Sequence, residues 1–573
     1  MRVGGFLLLS FLLVSFAGDQ PIYPAGDFIW PVKHAIKVSG TFGELRPNHF
    51  HAGVDLKSER GVTGDRLYAA GSGYVSRIKI QAAGYGNALY ITHPNGYTTL
   101  YAHLQNYTPE IAKFVKEQQY SRESFEVDLY LTSDLFPLNQ GDYIGNMGTT
   151  GSSQGPHLHF EIRDSKTEKP VNPLLFGLKI PDSRPPQLHE LKLYGFDADG
   201  RQLADQRFDL RLSSGVYRVT GDTISSAFPK FGLALKTFDR HDNVSNWNGI
   251  YGLKMWVDDT IVYQYDMESF AFDETRSINA LLDYPERVSH RSYFYRCFGM
   301  PGNALSLLAK NKASGLLDFE SAWIRKIKIE VSDVDGNAAS TIFWVKEGAA
   351  STSSPDSNFQ YILPYDESSL IQEEQYALFF PLGTLFENLY LHLSTSADKS
   401  YGHYSDVLHV ADYLTPVNGY FDVALRPNKE MSPEEKSKAF IAFCGRNGDV
   451  VNFGGSWEDN GLLHAKTNEF GNFTIMVDNR PPTIENISLR SDMRGRSSMV
   501  FKIYDNYPTG RAVRDLIYRG TIDGNWVLME FDAKSKRLKY RMDGSLARGE
   551  HDFKLVLTDA VGNETVYERS FRN

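Results

Sequence analysis

The chain has only 2 cysteines in 573 residues, so it cannot be a disulfide-stapled scaffold or a thiolate metal protein. Cys297 and Cys444 fit a single disulfide across a domain boundary and two buried thiols equally well. Positive charge is also in short supply. The formal net charge is −10 and no local basic cluster offsets it, which argues against a partner held by its phosphate backbone, so no nucleic acid is expected. No long low-complexity tract interrupts the chain. Beyond the N-terminus no run approaches the ~20 apolar residues that span a bilayer, so no stable membrane span is expected.

The one long apolar run lies in "MRVGGFLLLSFLLVSFAGDQ". A single Arg precedes an uncharged stretch that ends in small residues at Ala17-Gly18, the layout of a signal peptide over residues 1–18. The reading is of an exported protein, periplasmic or extracellular and associated with the cell envelope. Its length calls for about three or four domains.

Residues 19–180 are dense in glycine and short strand patterns, and 7 of the 15 histidines fall between His34 and His159. "NALYITHPNGYTTLYAHL" predicts a hairpin turning at Pro94-Asn95-Gly96, and Tyr107 to about Asp134 reads as a partly helical insertion. Beyond Ile180 two openings match, "DSRPPQLHELKL" from Asp182 and "DNRPPTIENISL" from Asp478. Each is followed by a similar closing turn, "VSDVDGN" ending at Asn337 and "LTDAVGN" ending at Asn563. They predict two related β-sandwich modules, at 181–347 with an insertion and at 479–573, flanking a β-rich stretch at 348–478. The fold class is therefore mainly β: a small antiparallel domain followed by two or three β-sandwich-like modules.

"GPHLHFEIR", Gly155 to Arg163, carries the chemistry. On a strand His157, His159, Glu161 and Arg163 share one face, and Leu158, Phe160 and Ile162 take the other. Two imidazoles on one face suit metal ligation or acid/base work. Upstream, His51-Ala-Gly-Val-Asp55 offers a histidine and a carboxylate, a donor mixture that zinc accepts; a helical pair at i, i+4 is the alternative. In "TLYAHL", alternation places His103 on the face of Tyr97, Thr99 and Tyr101.

"FHAGVD", "YAHL" and "GSSQGPHLHFEIR", in that order, resemble the lysostaphin/LytM-type zinc endopeptidases of bacterial cell walls, over about residues 30 to 180. The resemblance implies a small antiparallel β domain with an open groove, Zn2+ held by His51, Asp55 and His159, and His103 and His157 as catalytic histidines beside the water that zinc activates. It implies hydrolysis of peptidoglycan stem or cross-link peptides. Relatives that have lost ligands act as regulators of other wall hydrolases, which leaves a non-catalytic scaffold as the alternative. All five positions are present here. The β modules fit a spacer, a binder of wall, glycan or a protein partner, or a cover over the groove. His49 reads as a structural residue or one that supports the ligands from behind rather than a ligand itself, and the spaced His403, Asp406, His409 and Asp412 read as solvated strand and loop residues.

Overall fold

The computed structural model describes residues 23–573, apart from 312–313, 321, 350–357, 398–402, 446–447, 511–512 and 545. The expected signal peptide at 1–18 lies outside the described residues. The protein is built mainly of β-sheet, and no helix among the described residues is long and apolar enough to cross a membrane.

The first unit centres on an antiparallel sheet. Its strands run, in spatial order, Val38–Gly40, Val54–Lys57, His157–Asp164, Tyr97–Ala102, Asn87–Thr92, Gly73–Ile80 and Val127–Tyr130. Alternation sorts the central strand as the sequence predicts: Leu158, Phe160 and Ile162 are fully buried against Val54, Leu56, Tyr101 and Ile78. The hairpin forms with Thr92 opposite Thr98, and Gly96 takes the positive φ of +86° that its turn requires. The insertion is a helix, α1 (Pro109–Ser121), capped by the Thr108 side chain with Pro109 in its first turn. The chain then returns as Val127–Tyr130, which pairs with Gly73–Ile80 as the edge of the same sheet.

Two further sheets enclose a core between Leu188 and Val345, two five-stranded sheets one between Leu363 and Ile475, and two four-stranded sheets one between Leu489 and Phe571. Packing crosses from the first unit into the second. Leu45 and Phe50 of the short hairpin Leu45–Phe50, with Phe42 and Ala52 on either side of it, are buried in the core that holds Leu191, Leu253 and Phe270. The segment leading to His51 is thus folded by hydrophobic contact with the following module. Cys297 lies in that core, and Cys444 ends the strand Ala439–Cys444 of the next module.

Candidate metal centre and groove

Antiparallel register sets Asp55 directly opposite His159 across neighbouring strands. His51 is four residues before Asp55, on irregular backbone, so the helical alternative for this pair is excluded. Gly53 lies between them under the Phe160 carbonyl, where a Cβ would come within 2.3 Å of that oxygen. Only glycine allows the chain to pass so close to the central strand.

These placements bring three donor atoms together. Asp55 Oδ1 lies 3.0 Å from His51 Nε2 and 2.9 Å from His159 Nδ1, and the two nitrogens are 2.9 Å apart. The far nitrogen of each ring is tied to an oxygen: His51 Nδ1 to the Thr41 carbonyl at 2.7 Å, His159 Nε2 to Glu161 Oε1 at 2.7 Å. A carbonyl can only accept, so His51 Nδ1 carries the proton and Nε2 offers a lone pair. The carboxylate of Glu161 fixes His159 in the same sense. Three lone pairs therefore meet at one point, an arrangement that needs a cation. Arg46 Nη2 occupies the other oxygen, Asp55 Oδ2, at 2.6 Å.

The electrostatics agree. Burial acts against charge on His159, yet its bonds to Asp55 and Glu161 outweigh that and raise it to about 9, so without metal a proton takes the cation's place. Burial pushes His51 down to about 4. Asp55 is held well below the usual carboxylate range: burial opposes ionisation, but His51 and His159 overcome it. The donor set of two imidazoles and a carboxylate, each braced from behind, fits zinc.

His103 and His157 flank this point. Their rings are 4.8 Å apart, and His157 Nε2 is 3.5 Å from Asp55 Oδ1. Again the far nitrogens are anchored, His103 Nδ1 to the Thr150 carbonyl and His157 Nδ1 to the Gly155 carbonyl, both at 2.9 Å. Burial lowers both, His103 to about 3. One expectation is corrected here. Tyr101 pairs with Phe160 and faces the core, whereas Ala102 pairs with His159, so strict alternation would send His103 toward the core side. His103 instead adopts a left-handed φ of +64°, which breaks the alternation and turns its ring to the site.

Sequence reasoning gave no role to Arg46, Tyr85 or Glu161. Glu161 is fully buried and accepts from Tyr85 Oη at 2.6 Å and Arg163 Nε at 2.7 Å, as well as bonding His159. Its position on the face of His159 was the available signal. The cluster opens into a groove of about 1260 Å3, and part of the wall comes from the next module: Asn246, which accepts from Lys57 Nζ, and Phe272, beneath the Arg163 guanidinium. His49 borders the groove and bonds the Pro47 carbonyl through Nδ1. His409 bonds Ser396 and Asn472, and that distant histidine-aspartate stretch forms no metal-type cluster among the described residues.

Comparison with known proteins places this geometry. Residues 49–120 and 136–173 match the family model described as Peptidase family M23, and residues 360–478 match a Zu5-like domain. A DD-carboxypeptidase/endopeptidase Mpg of Neisseria meningitidis is 30% identical over 151 residues, 26% of this chain and 28% of the relative. Peptidoglycan DD-endopeptidase ShyC of Vibrio cholerae is 31% identical over 22% of this chain and 24% of its own. Murein hydrolase activator NlpD of Escherichia coli is 31% identical over 27% of this chain and 32% of its own. The chain thus spans about a third or less of these relatives. Among solved structures, the catalytic domain of lysostaphin from Staphylococcus simulans matches with 22% identity and a TM-score of 0.19, over 25% of this chain and 91% of that one. The stretch left out of the family match, 121–135, is the exit from α1 and the edge strand of the insertion, while the matched residues carry all five histidine and aspartate positions described above; residues 49–173 form a domain of peptidase family M23.

Proposed function

We propose that the chain is a zinc-dependent endopeptidase that is exported to the cell envelope and cleaves peptide bonds in peptidoglycan. The observation that carries this reading is the common orientation of four histidines. Each has one ring nitrogen tied to an oxygen; the other nitrogen of His51, His157 and His159 approaches Asp55 Oδ1, and the His103 ring lies beside those of His157 and His159.

His51 Nε2, Asp55 Oδ1 and His159 Nδ1 would hold the zinc, which when bound supplies Lewis acidity toward the scissile carbonyl and the attacking water. His103 and His157 are neutral in their buried setting, with Nδ1 donating to backbone carbonyls, so each presents Nε2 as a base. One takes the proton of the attacking water. The resulting imidazolium then donates its Nε2 proton to the leaving amine. Both rings are fixed before substrate arrives, so no reorientation is needed.

The proposed target is the D-alanyl to diamino-acid cross-link. One relative is named a peptidoglycan DD-endopeptidase and another a DD-carboxypeptidase/endopeptidase, which supports that choice. Incubating the purified chain with sacculi and analysing released muropeptides by mass spectrometry tests it. His159→Ala is expected to lose both zinc and cleavage. His103→Ala is expected to keep zinc and lose about 10²- to 10⁴-fold in turnover. Normal cleavage by His159→Ala would overturn the ligand assignment. The likeness to a murein hydrolase activator supports a second reading; product released only when another hydrolase is added would establish that one instead.

A further inference from the structure

The two modules that open with Asp-x-Arg-Pro-Pro gather acidic side chains at matching places. In the first, Asp182 belongs to the opening, Asp239 directly follows the strand Lys230–Phe238, and Asp333 directly follows Ile324–Ser332. In the second, Asp478 opens the module, Asp505 directly follows Ser498–Tyr504, and Asp559 directly follows Glu550–Thr558. The local bonding repeats as well. Asp182 Oδ1 accepts from the Arg184 amide and Asp478 Oδ1 from the Arg480 amide, both at 3.0 Å. Asp333 and Asp559 each accept from the backbone and side-chain amides of the closing asparagine, Asn337 or Asn563. Ligand-type atoms of Asp182, Asp239 and His241 all lie within 4.8 Å of one another, as do those of Asp478, Asp505 and Asp559.

Acidic clusters are common without a ligand, but these carboxylates are left incomplete. Asp182 Oδ2 and Asp239 Oδ1 are buried with no hydrogen-bond partner among the described residues, on side chains only 1% and 2% exposed. Both residues line a cavity of about 20 Å3 together with Asp333 and Thr41, whose Oγ1 also has no partner among the described residues. That is room for a single small occupant. In the second module Asp505 Oδ1 is the buried oxygen left over, at the equivalent strand end. Buried carboxylate oxygens facing one another require a positive charge between them, or protons. The first site offers oxygen donors only. The Asn248 amide donates to His241 Nδ1 at 3.0 Å, which leaves the ring proton on Nε2.

We infer that each Asp-x-Arg-Pro-Pro module binds one oxygen-seeking divalent cation of the calcium class, held between the aspartate that opens the module and the aspartates that end two of its strands. An all-oxygen set at a junction of irregular backbone suits calcium, which tolerates variable geometry. Each ion would fasten the entering linker to its module. At the first site it would also touch the residue whose carbonyl holds His51, since Thr41 lines the same cavity.

The full chain, freed of calcium with EGTA and titrated with calcium chloride, is expected to bind two calcium ions. Asp239→Asn and Asp505→Asn should each remove one, and the double variant both. Tyr251 borders the first cavity and Tyr507 lies beside Asp505, so terbium bound to the unaltered chain should luminesce on tyrosine excitation and be displaced by calcium, which gives a reading independent of how the variants fold. No calcium or terbium bound at about 1 mM, the weak end for extracellular calcium modules, would overturn the inference. So would two calcium ions retained by the double variant, or uptake of zinc but not calcium. A single calcium lost in only one variant would overturn it for the other module.

Discussion

At the scale of single residues, the centre depends on groups that never touch substrate. Glu161 has no solvent exposure and bonds His159, Tyr85 and Arg163 at once, so it fixes which nitrogen of His159 faces Asp55. Replacement by Gln keeps the shape and one acceptor but removes the charge that makes the imidazole a better donor. Glu161→Gln is expected to weaken zinc binding about 10- to 100-fold, measured by competition with a chromophoric chelator; unchanged affinity would confine Glu161 to packing. Alternation marked the shared face of His157 and His159, but it was the resemblance carried by the three ordered motifs that singled out His51, Asp55 and His159 as the ligand set. Arg46 and Tyr85 were not legible, since their bonds to Asp55 and Glu161 depend on how separate segments are brought together. His103 was legible as a residue but not in its direction, because a single left-handed φ reverses what alternation implies.

Among elements, strands that alternate cleanly could be read directly, and the groove wall could not. The loop Asn243–Asn246 belongs to the module after the peptidase domain, and its place opposite Lys57 arises from a contact 189 residues apart in sequence. Such separations leave no local periodic mark. Asn246 borders the groove without bonding the donor cluster, so bulk there should hinder a cross-linked strand and leave the metal alone. Asn246→Trp is expected to raise KM for sacculi severalfold with zinc content unchanged, and a loss of zinc would show that the loop supports the centre itself. The hairpin Leu45–Phe50 makes the related point for the scaffold. Its apolar residues look like those of the domain in which they are written, yet Phe42, Leu45 and Phe50 complete the core of the next one.

For the molecule as a whole, this sharing decides which truncation is informative. A chain ending near Ile180 would strip the cover from Phe42, Leu45, Phe50 and Ala52 and so disturb the approach to His51; any loss of activity would then report unfolding rather than regulation. Removing only the last module leaves that core intact. This module folds back on the peptidase domain: Trp526 meets Tyr120 of α1 with ring centroids 5.2 Å apart, Arg519 pairs with Glu123 at 2.6 Å, and Lys116 pairs with Asp543. Exposed ion pairs of this kind contribute little, typically about 0–1 kcal/mol each. Lys534 is different, because its ammonium donates to the Thr149 and Ser153 carbonyls at 2.5 and 2.7 Å, and charge-assisted bonds to backbone are stronger. The loop it grips supplies the Thr150 carbonyl that orients His103 and the Ser153 hydroxyl beside His157. Among the described residues, none of the last module lines the groove, which favours a brace over a cover. Lys534→Ala in the full chain is therefore expected to keep its zinc and lower kcat severalfold on released muropeptides, with KM little changed. A rise in kcat would show instead that the module restrains the enzyme.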